Sequence, residues 1–155
     1  MMELNDTIAV PVRRVSPLAE RFPLPSYATA GAAGLDLRAC LAEPVTLAPG
    51  ERRLIPTGIA IALPSPRLVA LVFARSGLAS RYGIQLANGV GVIDSDYRGE
   101  ILCAMQNAGS EPFTVQPGDR IAQLVVMPVA RISWREVEDL EPSERGAGGF
   151  GSTGS

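Results

Sequence analysis

The chain of 155 residues has no histidine, which removes histidine triads, histidine metal ligands and the commonest general base in one step. Any catalysis must rest on carboxylates, hydroxyls, arginines or a bound cation. Aromatic residues are few, with one Trp, three Tyr and four Phe, although hydrophobic residues make up 46% of the chain. The core must therefore be built mainly of Val, Ile, Leu and Ala, which favours strands. There is no run of basic residues and the net charge is −2, which argues against a nucleic-acid polymer as the main partner. The start, MMELNDTIAV, has no long apolar run. It reads as neither a secretory signal nor a membrane span, so a cytoplasmic protein with no membrane partner is expected. The only cysteines, Cys40 and Cys103, follow no metal-binding spacing and are expected to be reduced, buried thiols.

A chain of this length can bury about 70% of its unfolded surface as one domain, without disulfides or metal. Apolar runs at Ile8 to Val12, Gly34 to Leu37, Gly58 to Leu63, Leu68 to Phe73, Ile101 to Met105 and Ile121 to Val129 are broken by Pro49-Gly50, Pro64-Ser65-Pro66 and Pro117-Gly118. Short strands with turns at this spacing indicate an all-β sandwich or barrel. LAPGERRLI and VQPGDRIAQL resemble one another in carrying Pro-Gly, an acid and an arginine into an apolar strand, an echo of symmetric hairpins. One segment is helical: Ser76 can cap Gly77 to Tyr82, and Gly83 suits a left-handed end.

The stretch GIQLANGVGVIDSDYRGEI, residues 83–101, is central. Its ends are strand-like and Asn88, Gly89 and Gly91 supply a turn, so a tight hairpin or pair of turns is expected. Asp94, Asp96 and Tyr97 sit in that apolar setting. They form either a site or a solvated turn in which the acids favour the bend. Arg75-Ser76-Gly77 sets a cation, a hydroxyl and a glycine at a helix start, suited to a phosphate or to an ordinary cap. Asp36 lies in an apolar strand with Arg38 on the same face, and the two can neutralise each other. Gln123 interrupts an apolar strand and reads as polar recognition or as an edge residue. The tail RGAGGFGSTGS is a flexible end by composition, yet its glycines, Arg145 and the lone ring of Phe150 also suit a phosphate-closing arm.

Taken together these blocks resemble the deoxyuridine triphosphate nucleotidohydrolases, the dUTPases, from Tyr27 to Gly154. The five motifs of that family stand in order: AGLDLRA from residue 33, RSGLA from 75, NGVGVIDSDYRGE from 88, GDRIAQL from 118 and RGAGGFGSTG from 145. The resemblance implies an all-β, jelly-roll-like (β-clip) domain over residues 1–144 with one short helix. A flexible glycine-rich arm, residues 145–155, would close the active site of a neighbour in a homotrimer.

The resemblance also assigns residues to roles. Backbone groups around Asn88 would read uracil, with Val92, Ile93 and Leu102 about the pocket. Tyr97 would lie against the deoxyribose, leaving no room for a 2′-hydroxyl. Arg75, Ser76, Gly77 and Gln123 would hold phosphates; Arg145, Gly151 and Ser152 would close over the γ end, with Phe150 stacked on the base. Asp94 would orient and deprotonate the attacking water. Mg²⁺ would be held largely by phosphate oxygens and waters, with no direct protein ligand; Asp36 would meet it through water or position an arginine. The implied reaction is hydrolysis of dUTP to dUMP and pyrophosphate, which limits uracil incorporation into DNA. A dCTP deaminase of the same fold and a catalytically silent, nucleotide-binding regulatory trimer are the alternatives.

Overall fold

The computed structural model of the chain describes residues 7–151. It contains eleven strands, all paired antiparallel, and one α-helix. In chain order they are β1 (Val12–Arg14), β2 (Leu35–Arg38), β3 (Val45–Leu47), β4 (Arg52–Pro56), β5 (Ile59–Ile61), β6 (Leu68–Ala74), α1 (Ser76–Tyr82), β7 (Ile84–Leu86), β8 (Gly91–Ile93), β9 (Leu102–Asn107), β10 (Phe113–Val115) and β11 (Arg120–Pro128). A 3-10 turn, Pro17–Arg21, follows β1. The strands form a four-stranded sheet in the order β2-β11-β6-β8, a three-stranded sheet β4-β9-β7, and the pairs β1-β5 and β10-β3.

Alternation of side chains builds the core between these sheets. On β6, Leu68, Ala70 and Val72 are buried and the intervening residues less so; on β9, Cys103, Met105 and Asn107 point inward. These side chains join Leu37, Leu47, Ile55, Ile84, Val115 and Leu124 in one cluster that draws on every sheet. The result is an all-β domain with a single short helix, as the turn spacing suggests, in the jelly-roll-like form that the family resemblance implies. No helix of the described residues is long and apolar enough to cross a membrane. Both thiols are free and buried. Burial pushes the Cys103 thiol up to about 12; Cys40 is also raised, by burial first and by the neighbouring Glu100 second.

Three local expectations change. Residues 8–11 precede the first strand, which begins only at Val12, where a ladder with β5 becomes available. The two Pro-Gly segments are not hairpins, since β3 leaves β4 and β10 leaves β11 to pair with each other instead. Their likeness is nevertheless detailed. Gly50 and Gly118 take φ of 81° and 83°, as the third residue of a type II turn requires. The acid after each glycine accepts a hydrogen bond from the residue that opens the turn, Glu51 from Ala48 N (2.9 Å) and Asp119 from Gln116 N (2.8 Å). In the helix, Arg75 rather than Ser76 takes the N-cap position. The extended cap conformation falls one residue early, so Ser76 is the first helical residue. Gly83 does end the helix in the left-handed region.

At the end of β9, Asn107 is fully buried. Its Nδ2 donates to Leu47 O (3.0 Å) and Glu111 O (2.7 Å), and its Oδ1 accepts from Gly109 N (2.9 Å). Asn107→Ala strands three backbone groups, one of which, Leu47 O, lies in the fully buried core. We expect it to lower stability by about 3 kcal/mol, read as a fall of about 6–12 °C in Tm.

Candidate active site

The segment after α1 does not close as a tight hairpin. β7 passes over to β9, with Leu86 opposite Met105, and β8 between them pairs with β6 instead, Gly91 opposite Val72. This excursion between β7 and β9 thus has its inner strand captured by a different sheet. A cavity of about 210 Å³ opens beneath it, lined by Asn88, Val92, Ile93, Asp94, Tyr97 and Leu102 among others. Six of the residues singled out from sequence thus meet in one place. Val72, Gly91, Glu100 and Ile101 also line it; Gly91 was read only as a turn residue, and none of the four was assigned to the site from the sequence. The acid of Glu100, set between Gly99 and an apolar strand, was the available signal.

Asp94 is exposed at this cavity and forms no ion pair among the described residues. Its carbonyl accepts from Tyr97 N (3.2 Å), closing a turn that brings carboxylate and ring to the same rim. Asp96 is exposed and does not line the cavity. Tyr97 folds back over Gly99 and its hydroxyl donates to Glu100 O (2.9 Å). A Cβ on Gly99 would meet the Tyr97 hydroxyl and would lie 2.6 Å from its Cζ. Arg98 donates to Ser95 O (2.7 Å) and Tyr97 O (3.0 Å), holding the turn from outside.

A second group of polar residues gathers at the end of the four-stranded sheet. Asp36 does not pair with Arg38, whose Nη1 donates to Gly118 O (2.9 Å) instead. Its carboxylate bridges two arginines, with Arg75 Nε 3.3 Å from Oδ1 and Arg120 Nη1 3.3 Å from Oδ2. β11 lies between β2 and β6, so Asp36 can reach across to Arg75, which follows β6, only by spanning the central strand. Arg75 Nη1 also donates to Arg120 O (3.1 Å), leaving Nη2 outside these contacts. Gln123 is on the central strand, not at an edge, opposite Asp36 on one side and Phe73 on the other. Its Nε2 donates to Ala74 O (3.1 Å). Ser76 and Gly77 open α1 beside this group, and the Ser76 side chain makes no cap bond.

Within one chain these two groups do not share a cavity. None of Arg75, Ser76, Gly77 and Gln123 lines the space beneath the excursion, because β8 joins one flank of β6 and β11 the other. The strands end at Pro128, ahead of residue 144, the expected boundary. Among the described residues the last hydrogen bond to the body is from Val129 N to Arg67 O (2.8 Å). The segment that leads into the arm displays Ile132, Trp134 and Leu140 to solvent and the arm itself displays Phe150, while Arg145 Nε donates to Gly148 O within the arm's own loop. Gly151 is exposed, and Ser152 lies outside the described residues. No group of three His, Cys, Asp or Glu side chains among the described residues is arranged to hold a metal ion.

Known proteins resemble this chain in sequence and in fold. The family model for dUTPase matches residues 20–154. The deoxyuridine 5′-triphosphate nucleotidohydrolase of Hahella chejuensis is 58% identical over 138 residues, 89% of this chain and 91% of that protein. The protein of the same name from Escherichia coli is 51% identical over 137 residues, 88% of this chain and 91% of that one. Among solved structures, the dUTPase of Staphylococcus bacteriophage 80alpha with dUPNHPP superposes with a TM-score of 0.85 at 27% identity, covering 96% of this chain and 100% of that one.

The contact between Tyr97 and Gly99 carries a structural prediction. Gly99→Ala must displace the Tyr97 ring, since Cβ and ring carbon cannot both stay within 2.6 Å. A crystal structure of the variant should show the hydroxyl released from Glu100 O, at little cost in stability because Tyr97 is exposed.

Proposed function

The chain belongs to the dUTPase family, and from that premise we propose how its residues divide the work. It hydrolyses dUTP to dUMP and pyrophosphate, which keeps dUTP from serving as a precursor of uracil in DNA. The observation that carries the assignment of roles is the cavity beneath the excursion, where a carboxylate, a tyrosine ring and strand backbone meet.

The nucleoside enters that cavity. Backbone at Asn88 reads the uracil edge, where N–H and C=O groups can match its donor and acceptors; Val92, Ile93 and Leu102 supply apolar walls. Tyr97 stands against the deoxyribose where a 2′-hydroxyl would be. The triphosphate meets the cationic end of the four-stranded sheet. Attack on the α-phosphorus must overcome repulsion between a nucleophile and a polyanion, so donors aimed at the phosphate oxygens supply most of the help. Arg75 presents its unused Nη2 there, and Ser76, Gly77 and Gln123 complete the set. Asp94 orients a water and takes its proton as oxygen bonds to phosphorus and pyrophosphate leaves with the P–O electron pair.

A magnesium ion fits the donors present. Mg²⁺ keeps several waters and binds through phosphate oxygens with few carboxylates, and this chain offers single carboxylates rather than a cage. Bound with the substrate, the ion would neutralise phosphate charge. Asp36, engaged by two guanidinium groups, positions Arg75; were it to help hold the ion, it would do so through water.

The two groups of residues join when chains assemble. We place them opposite one another across the subunit contacts of a cytoplasmic homotrimer, with residues 145–155 of one chain closing a neighbouring site. The exposed apolar side chains beyond the last strand, Ile132, Trp134, Leu140 and Phe150, which a monomer would leave in water, support this arrangement. In the closed site Arg145, Gly151 and Ser152 cover the γ-phosphate and Phe150 stacks on the base.

Two measurements test this reading. Pyrophosphate release, measured in parallel with dUTP, dCTP, dTTP and UTP and with and without Mg²⁺, should be fastest with dUTP and Mg²⁺; ammonia release from dCTP would instead identify a deaminase. In that assay Asp94→Asn should bind nucleotide and turn over about 10²–10⁴ times more slowly, and unchanged turnover would remove Asp94 from the chemistry. The second measurement mixes subunits. Asp94→Asn and Arg75→Ala proteins, each inactive, should regain activity when unfolded and refolded together, because some sites then combine an intact Asp94 with an intact Arg75. No recovery in verified mixed trimers would place both residues of a site on one chain.

A further inference from the structure

Glu100 has no part in the chemistry above, yet it is tied to the rest of the chain at both ends of the residue. Its Oε1 accepts a hydrogen bond from Gly58 N (2.8 Å), in the connection between β4 and β5 and 42 positions away in sequence. Its carbonyl accepts the Tyr97 hydroxyl (2.9 Å). That carbonyl shares a rigid, planar peptide unit with Ile101 N, which donates to Ile59 O (2.9 Å). The next carbonyl, Ile101 O, takes both Thr57 N (3.2 Å) and the buried Thr57 hydroxyl (2.6 Å). The end of the excursion is therefore fastened to residues 57–59 by successive groups, and Glu100 supplies the one side-chain fastening nearest Tyr97.

We propose that Glu100 is a positioning residue for sugar recognition: by bonding Gly58 N it holds the carbonyl that orients Tyr97, and so sets how strictly the site excludes a ribose. This rests on the reading of Tyr97 as the residue against the deoxyribose. A rigid ring can refuse a single added hydroxyl only if it cannot retreat. Here the ring is backed by Gly99 and by the Glu100 carbonyl rather than by core packing, since Tyr97 is itself exposed. Its precision must come from that hydrogen bond and from what holds the acceptor in place. Small displacements of a positioning group are costly in rate, about 10²-fold for 1 Å.

The test compares kcat/KM for dUTP and UTP in wild type, Glu100→Ala, Glu100→Gln, Tyr97→Ala and Tyr97→Phe, with Tm recorded for each. Glutamine keeps an oxygen that can accept from Gly58 N, so Glu100→Gln should hold the dUTP-to-UTP ratio within about twofold of wild type. Glu100→Ala should lower the ratio by about tenfold or more, in the same direction as Tyr97→Ala; tenfold corresponds to about 1.4 kcal/mol. A purely structural role would lower Tm and leave the ratio unmoved. If Glu100→Ala keeps the wild-type ratio while Tyr97→Ala loses it, the role of Glu100 is overturned and that of Tyr97 stands. If Tyr97→Ala keeps the ratio, both fail. Should Glu100→Ala not fold, Tyr97→Phe decides: it removes only the hydroxyl that meets the Glu100 carbonyl, and a wild-type ratio in that variant overturns the proposal.

Discussion

The arrangement of this protein depends on one strand, β6, being hydrogen-bonded on both sides to strands that serve different ends. Its ladder with β11 runs without a break from Leu68 opposite Pro128 to Ala74 opposite Ala122, and its other edge takes β8. A slip of one residue would turn Leu68, Ala70 and Val72 out of the core, so burial holds the register. The register in turn delivers Arg75 to the end of the sheet, beside Gln123 and Asp36, while β8 draws the excursion to the opposite flank. Antiparallel pairing thus separates a cationic group of residues from a nucleoside-sized cavity.

Electrostatics at the cationic end follows from this pairing. An aspartate between two guanidinium groups, with its side chain only 18% exposed, is a partly desolvated ion cluster. Its geometry is worth more than its net contribution to stability. Every cation of the chain is an arginine. The planar fork of that side chain allows Arg75 to engage Asp36 through Nε and Arg120 O through Nη1 while Nη2 stays outside both contacts. A lysine, with its charge on a single atom, could not divide itself in this way.

Much of this was legible in the sequence because it is local. Apolar runs marked β6 and β11, Pro-Gly marked the places where the chain turns, and Gly83 marked the end of the helix. What was illegible depends on partners far apart in the chain. Nothing near Asp36 says that it will meet Arg75 and Arg120 rather than Arg38 two positions away. Nothing near Gln123 says that its strand is central. Asn107 lies just past the apolar run that ends at Met105, and only the arrival of β3 beside it makes it a buried anchor. Within the site, the cavity residues were recognisable as a motif because they lie within a few positions of one another. Glu100 was passed over because its partner, Gly58, belongs to a different turn.

The arm has an optical consequence. Trp134 is the sole tryptophan of the chain and stands 90% exposed on the segment beyond the last strand. Light absorbed by indole in this protein therefore reports on that segment alone, and the colour of its emission distinguishes a ring in water from one pressed against another surface. Without any label, the chain carries a gauge of whether the segment leading into its arm lies in water or against another surface.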